Sequence, residues 1–254
     1  MSDVTVITGG SAGIGAATAV RLVSEGHRVV IAARDSARLA AVAESLGAAA
    51  HAVVADVTRR ADVDRIRDEA LHAFGSIDTW INNAGRGISR PVLALTDEDV
   101  TDIIDVNIRS VLYGMQAIVP YFVERGRGHV INISSFLARV PLAPQRSIYS
   151  AAKAAVNSLS ANARMDLATS SPGVHISVVM PGLVSTGFAQ NVRGGGGPVA
   201  PPPGAPTMPA QTAEDVAAVI ARVVSAPAPE TYTNPTSPEM ARRYFEQLGA
   251  FRPL

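Results

Sequence analysis

The sequence predicts an α/β fold: one doubly wound parallel sheet with helices on both faces. Three observations predict it. Short apolar, β-branched runs alternate with helical patterns along the chain. Strand-helix alternation implies parallel strands covered on both faces, and right-handed crossovers then give the doubly wound order. A glycine-rich turn joins the first strand to the first helix.

The candidate strands are 4–8, 28–33, 50–55, 78–82, 129–134 and 174–180, with a short last strand near 231–233. Helical patterns fill the gaps at 13–25, 36–46, 59–74, 97–125, 150–169 and 212–225. Val4 to Ile7 reads as a buried strand and runs into Thr8-Gly9-Gly10-Ser11-Ala12-Gly13-Ile14-Gly15. Glycines there allow a tight turn and let backbone amides approach a pyrophosphate. The helix N-terminus adds partial positive charge. The spacing of Gly9, Gly13 and Gly15 is G-x-x-x-G-x-G, not the commoner G-x-G-x-x-G. A glycine turn without a ligand is the competing reading.

The chain reads as one domain over 1–254. With 47% hydrophobic and 17% charged residues, a globular chain is favoured over a disordered one. A net charge of zero gives no support for a nucleic-acid or anionic-membrane partner. Cysteine is absent, which excludes disulfides and thiolate metal sites. His27, His51, His72, His129 and His175 show no metal-ligand spacing, so no metal is expected. No apolar run reaches the roughly 18–20 residues of a membrane span. The chain enters a strand almost at once, leaving no room for a signal peptide, so a cytoplasmic protein is expected.

Tyr149 and Lys153 lie four residues apart, on one face of a helix. A free phenol titrates near pH ~10, too high for proton transfer at neutrality. A neighbouring cation favours the phenolate. A lone pair of this kind is more often a surface pair.

Here it has company. Asp56-Val57, Asn82-Asn83-Ala84-Gly85, a lone Asn107, Asn132-Ile133-Ser134-Ser135 and Pro181-Gly182-Leu183-Val184-Ser185-Thr186 stand in order around the glycine turn and Tyr149-Ser150-Ala151-Ala152-Lys153. Together these motifs resemble the short-chain dehydrogenase/reductase family, strongly over roughly residues 4–186. The resemblance implies a Rossmann-like dinucleotide site. Gly9, Ser11, Gly13, Ile14, Gly15, Asp56, Val57, Asn83, Ala84 and Gly85 would hold the cofactor, with Pro181, Gly182, Val184 and Thr186 around the nicotinamide. Asp56 would accept a bond from the adenine amino group. For Asp56 and Asn83, ordinary turn chemistry is the alternative.

The resemblance also implies a catalytic set. Tyr149 would donate the proton to a carbonyl. Lys153 would lower the tyrosine pKa and hold the nicotinamide ribose. Ser135 would hydrogen-bond the substrate oxygen. Asn107 would hold a water linking Lys153 to solvent. Ser135 lies fourteen residues before Tyr149, one more than the common family spacing, so the intervening loop carries an extra residue.

The end of the second strand bears on cofactor choice. An acid there would bond a ribose 2′-hydroxyl and repel a 2′-phosphate. This chain has Ala32-Ala33-Arg34. Arg34 offers a planar fork matched to phosphate, and Ser11 a second donor. NADP(H) is therefore expected over NAD(H). The neighbouring Asp35 should point away, and Arg38 reads as an exposed helix residue.

The expected substrate is a mainly apolar carbonyl compound or its alcohol. Its walls would be 86–95, 136–148 and 187–211, supplying Ile88, Phe136, Leu137, Val140, Leu142 and Phe188. Arg86, Arg90, Arg139, Arg146 and Arg193 could attract an acidic group, though each by itself reads as a solvated surface residue. Residues 193–209, rich in Gly and Pro, cannot propagate regular structure and are expected to be a substrate lid. The tail, 238–254, carries Met240, Tyr244, Phe245 and Leu248 at helical spacing, a packing face. By analogy with the family, a homodimer or homotetramer is expected. An oxidative or epimerising enzyme, or a non-catalytic NADP-binding regulator, are the alternatives.

Overall fold

The structure is a computed structural model and describes residues 2–187, 192–194 and 209–246. Seven strands form one sheet: β1 Val4–Thr8, β2 Arg28–Ala33, β3 Ala50–Val54, β4 Thr79–Asn82, β5 Gly128–Ile133, β6 Val174–Met180 and β7 Glu230–Tyr232. All pairings are parallel, in the order β3-β2-β1-β4-β5-β6-β7.

Both faces are covered, and the strand sequences show why. Val6, Trp80 and Val130 point to one face, into a core with Phe122, Ile118 and Val156. Their neighbours Ile7, Ile81 and Ile131 point to the other, with Leu22, Val216 and Ile220. A strand buried on both sides has no polar alternation, so its sequence is a continuous apolar run.

The helices are α1 Gly13–Ser24, α2 Ser36–Leu46, α3 Arg60–Phe74, α4 Asp97–Ile104, α5 Ser110–Arg125, α6 Ser147–Leu167, α7 Ala213–Ser225 and α8 Ser237–Glu246. The expected helix 97–125 is interrupted: Asp105–Arg109 forms one π-helical turn between α4 and α5, with Asn107 inside it. A π-turn is invisible to apolar periodicity and is often found at functional sites. α6 begins at Ser147, so Tyr149 lies in its first turn.

Sheet order reverses beside β1. From β1 the chain steps outward to β2 and β3, then returns to β4 on the other side. At such a switch point the two crossovers part and leave a crevice at the strand C-termini. The loops after β1, β4, β5 and β6 all open there.

Candidate active site

The crevice starts at Thr8, the last residue of β1. Its hydroxyl accepts from the amides of Asn83 and Ala84, both at 3.1 Å, and donates to Ile81 O. Asn83 returns the contact: Nδ2 donates to Thr8 O at 2.9 Å and Gly9 O at 3.2 Å. The glycine turn and the Asn-Ala-Gly turn are thereby locked together. Gly9 has φ +70°, and a Cβ there would lie 2.9 Å from Ala84 Cα. Only glycine fits so tight a left-handed position. The side chain of Asn83 thus ties the two turns together.

α1 opens directly above. Its N-cap, Ala12, supplies no side-chain cap, and its first turn carries no acid. The first amides of a helix need an acceptor, and here the protein provides none from a cap. A Cβ on Gly15 would collide with Gly9 O, so glycine there lets α1 pack directly against the turn. Thr186 lies alongside, its Cβ 3.6 Å from where a Gly13 Cβ would be. These features fit a dinucleotide phosphate. Ile14 and Val184 pack against the core below. Pro181 O accepts from Phe136 N at 2.8 Å, tying the loops after β5 and β6 together at Gly182.

Asp56 accepts from Thr58 N and Thr58 Oγ1 through Oδ1, an Asx turn that leaves Oδ2 without a protein partner among the described residues. Val57 belongs to the core through its side chain. Arg34 is exposed just past β2. Asp35 turns away from it: its Oδ1 caps α2 by accepting from Arg38 N at 3.0 Å, and Oδ2 pairs with Arg38 at 3.3 Å. No ion pair or hydrogen bond engages the side chains of Arg34 or Ser11 among the described residues.

Tyr149 and Ser135 meet despite the longer spacing. Their side chains hydrogen-bond, and Ser135 Oγ also accepts from Leu137 N at 3.2 Å. Ser134 Oγ donates to Lys153 O, which anchors α6 to the end of β5. Lys153 is buried, with Nζ donating to Ile133 O at 2.8 Å and lying 5.9 Å from the Tyr149 ring centre. Burial pushes its ammonium down to about 8. Burial also raises the Tyr149 phenol, opposed by the Ser135 hydrogen bond and by the charge of Arg146. Arg146 is thus a further cation acting on the phenol, beside the Lys153 that sequence spacing pointed to. Arg146 stands three residues before Tyr149, a helical spacing that was readable but masked by the loop around it.

Asn107 is fully buried. Nδ2 donates to Arg86 O at 2.9 Å and Ile103 O at 3.1 Å, while Oδ1 accepts from Arg86 N at 3.3 Å. Both Nδ2 hydrogens are thereby engaged by protein, while Oδ1 keeps a second acceptor position. Gly85 separates the two key groups: a Cβ there would sit 2.9 Å from Asn107 Oδ1 and 3.5 Å from Lys153 Nζ.

The expected substrate walls need correction. Ile88 is buried with Ile103 and Ala152. Phe136 and Val140 are buried with Ala241, against Leu142, Tyr232, Met240 and Tyr244. These side chains hold the loop 136–142 onto α8 instead of facing a ligand, and the tail stripe is their packing partner. Leu137 stays half-buried. Phe188, Leu248 and most of the expected lid lie outside the described residues. Within that lid Arg193 is anchored: Ser89 N donates to Arg193 O at 2.9 Å, and Arg193 N to Gly87 O at 3.1 Å. The arginines also differ from expectation. Arg86 pairs with Asp102 at 2.8 Å, Arg90 with Asp99 at 3.0 Å, Arg193 with Glu98 and Asp99 at 2.8 and 2.7 Å, and Arg139 with Glu230.

Among the described residues, no group of three or more His, Asp or Glu side chains could hold a metal ion, and no helix is long and apolar enough to cross a membrane.

Comparison with known proteins agrees with this geometry. An uncharacterized oxidoreductase of Staphylococcus aureus (strain USA300) is 38% identical over 184 residues, covering 72% of this chain and 78% of the relative. A short-chain dehydrogenase/reductase of Burkholderia phymatum, solved with NAD, superposes with a TM-score of 0.87 at 26% identity, over 100% of this chain and 96% of that one. A short-chain dehydrogenase of Sphingobium yanoikuyae, solved with NADPH, gives 0.80 at 28% identity, over 98% and 96% of the two chains. The family pattern described as short chain dehydrogenase matches residues 3–195, the stretch that holds the glycine turn, Ser135, Tyr149 and Lys153. With the parallel sheet, its switch-point crevice and that match, the chain belongs to the short-chain dehydrogenase family of oxidoreductases.

Proposed function

We propose that this chain is an NADP(H)-dependent oxidoreductase that interconverts a carbonyl and a secondary alcohol, acting chiefly as a reductase of a small ketone. The carrying observation is the Ser135–Tyr149 hydrogen bond set above buried Lys153 at the switch-point crevice. A bound nicotinamide supplies the hydride. Tyr149 donates the proton to the carbonyl oxygen as negative charge grows there. Ser135 holds the same oxygen and orients the phenol. Lys153, fixed by Ile133 O, carries positive charge beneath the phenol and is placed to hold ribose hydroxyls. Asn107 fixes the backbone of Arg86, and with it the turn at Gly85 that roofs Lys153.

Arg34 supports the NADP(H) preference. It is exposed beyond a strand end that lacks an acid, and Asp35 is spent on capping α2. Family members have been solved with either nucleotide, here exemplified by NAD and NADPH. The reading extends to one catalytic domain, a homodimer or homotetramer, and a cytoplasmic location. A panel of ketones and secondary alcohols with NADPH or NADH, followed by the absorbance of the reduced cofactor, tests it. No turnover of any member with either cofactor would defeat the reading.

A further inference from the structure

We propose that Arg146 determines substrate specificity: its guanidinium docks the carboxylate of an oxo acid whose carbonyl is held by Tyr149 and Ser135. This rests on the carbonyl-reduction reading above and names its substrate class.

Most charges around the crevice are paired. Arg86, Arg90 and Arg193 face Glu98, Asp99 and Asp102 on α4, three cations against three carboxylates. Arg139 is paired with Glu230. Arg146 stands apart. It has no ion pair among the described residues, and its Nη1 donates to the backbone carbonyl of Ile88 at 2.8 Å. That bond aims the guanidinium but does not neutralise it.

The position is also fixed from the backbone. Arg90 N donates to Gln145 O at 2.8 Å, Ser147 Oγ donates to Arg90 O at 3.0 Å, and Arg146 O accepts the first bond of α6 from Ser150 N at 2.8 Å. Arg146 is therefore built into the rim with its direction set, unlike a long side chain free in solvent. Half-burial lowers its pKa, the mark of a cation without a compensating carboxylate. An unpaired, partly buried charge is costly. Perturbed charged groups of this kind cluster at functional sites. The guanidinium fork suits a carboxylate bidentately.

Distance sets the ligand's shape. Arg146 is the N-cap residue of α6, one turn before Tyr149. Arg146 also acts electrostatically on Tyr149. The carboxylate must then lie only a few bonds from the reacting carbonyl, as in 2-oxo to 4-oxo acids. Half-buried Leu137 lies in the loop beside Ser135 and offers the rest of such a ligand an apolar contact.

The test uses matched pairs that differ only in the anion: benzoylformate against methyl benzoylformate, and 4-oxopentanoate against its methyl ester. Each is assayed with the full chain and NADPH. The wild-type protein should favour the acid of at least one pair. Arg146→Gln should lose about 10- to 100-fold more kcat/KM on that acid than on its ester, mostly through KM. Arg146→Lys, which keeps charge but not the fork, should fall between. Equal losses on acid and ester would show that Arg146 acts only on Tyr149 or on folding, and would overturn the proposal. So would a wild-type preference for both esters.

A binding measurement separates this failure from failure of the reaction itself. Calorimetric titration of benzoylformate and 4-oxopentanoate into the NADPH-loaded Tyr149→Phe protein needs no turnover. Binding weakened about tenfold or more by adding Arg146→Lys, with no turnover in the wild type, would keep the carboxylate dock and discard ketone reduction. Turnover of esters and acids alike, with no Arg146-dependent binding, would keep the reduction and discard the dock.

Discussion

Lys153 donates from Nζ to the carbonyl of Ile133 at 2.8 Å, inside the protein and one helical turn beyond Tyr149. A neutral carbonyl compensates only part of the hydration that the ammonium lost. Its pKa is held down to about 8 by that burial, while burial pushes the Tyr149 phenol up. The two shifts run in opposite directions, so the ammonium titrates below the phenol.

A pH dependence follows from that relationship. Ketone reduction needs a protonated Tyr149 and benefits from a charged Lys153. The phenol remains protonated through neutrality, whereas the ammonium discharges as pH rises through about 8. The reductive kcat/KM should therefore be level below that value and fall above it. A profile from pH 6 to pH 10, with cofactor saturation checked at each point, measures this. A rate that stays level to pH 10 would remove Lys153 from the mechanism.

Tyr149→Phe removes the proton donor but keeps the ring. Turnover should drop by about 10²- to 10⁴-fold while NADPH still binds. Ser135→Ala removes the hydroxyl that meets the phenol, and should cost about 10²-fold or more. Fluorescence titration with NADPH, run beside the kinetics, separates loss of chemistry from loss of cofactor. Near-normal turnover in Tyr149→Phe would sink the assignment.

Arg34→Asp places an acid just past the end of β2. It should weaken NADPH binding and improve the relative use of NADH, because a carboxylate there repels a 2′-phosphate and accepts from a 2′-hydroxyl. The ratio of kcat/KM for the two cofactors is the readout. A wild-type protein that binds NADH more tightly than NADPH would contradict the reading of Arg34.

Acid should destabilise the fold through His129. This residue is buried on β5, with Nε2 at 2.8 Å from Ser177 Oγ, and burial followed by the charge of His175 lowers its pKa from 6.5 to about 4. Between those values the unfolded chain binds a proton that the folded chain does not. Stability from this group is thus complete above pH 6.5 and declines as pH falls toward 4, by about 3 kcal/mol in all. Denaturant unfolding at pH 7 and pH 4.5 measures the loss. In His129→Gln that acid-dependent loss should shrink, even though the variant starts from lower stability.

Much of this protein is legible in one dimension. β1 to β6 stand within a few residues of where their apolar runs place them, because a strand buried on both faces must be apolar along its length. The glycine turn is readable because backbone at positive φ and in close contact tolerates little else. The loop's extra residue did not prevent Ser135 from reaching Tyr149, since α6 begins early enough, at Ser147, to bring the phenol back over β5.

What the sequence alone determined was the set of elements, their parallel order and the residue types gathered at one sheet edge. Tertiary structure decided which partner each polar group takes. The π-turn that buries Asn107 against Arg86, the packing of Phe136 and Val140 on α8, and the pairing of Arg86, Arg90 and Arg193 with α4 all depend on contacts between different elements. Local periodicity reports which face of an element is apolar. It says nothing about which carboxylate, carbonyl or ring that face will meet, so the position of Arg146, without an ion pair among the described residues and aimed at the Ile88 carbonyl, emerges only when the chain is folded.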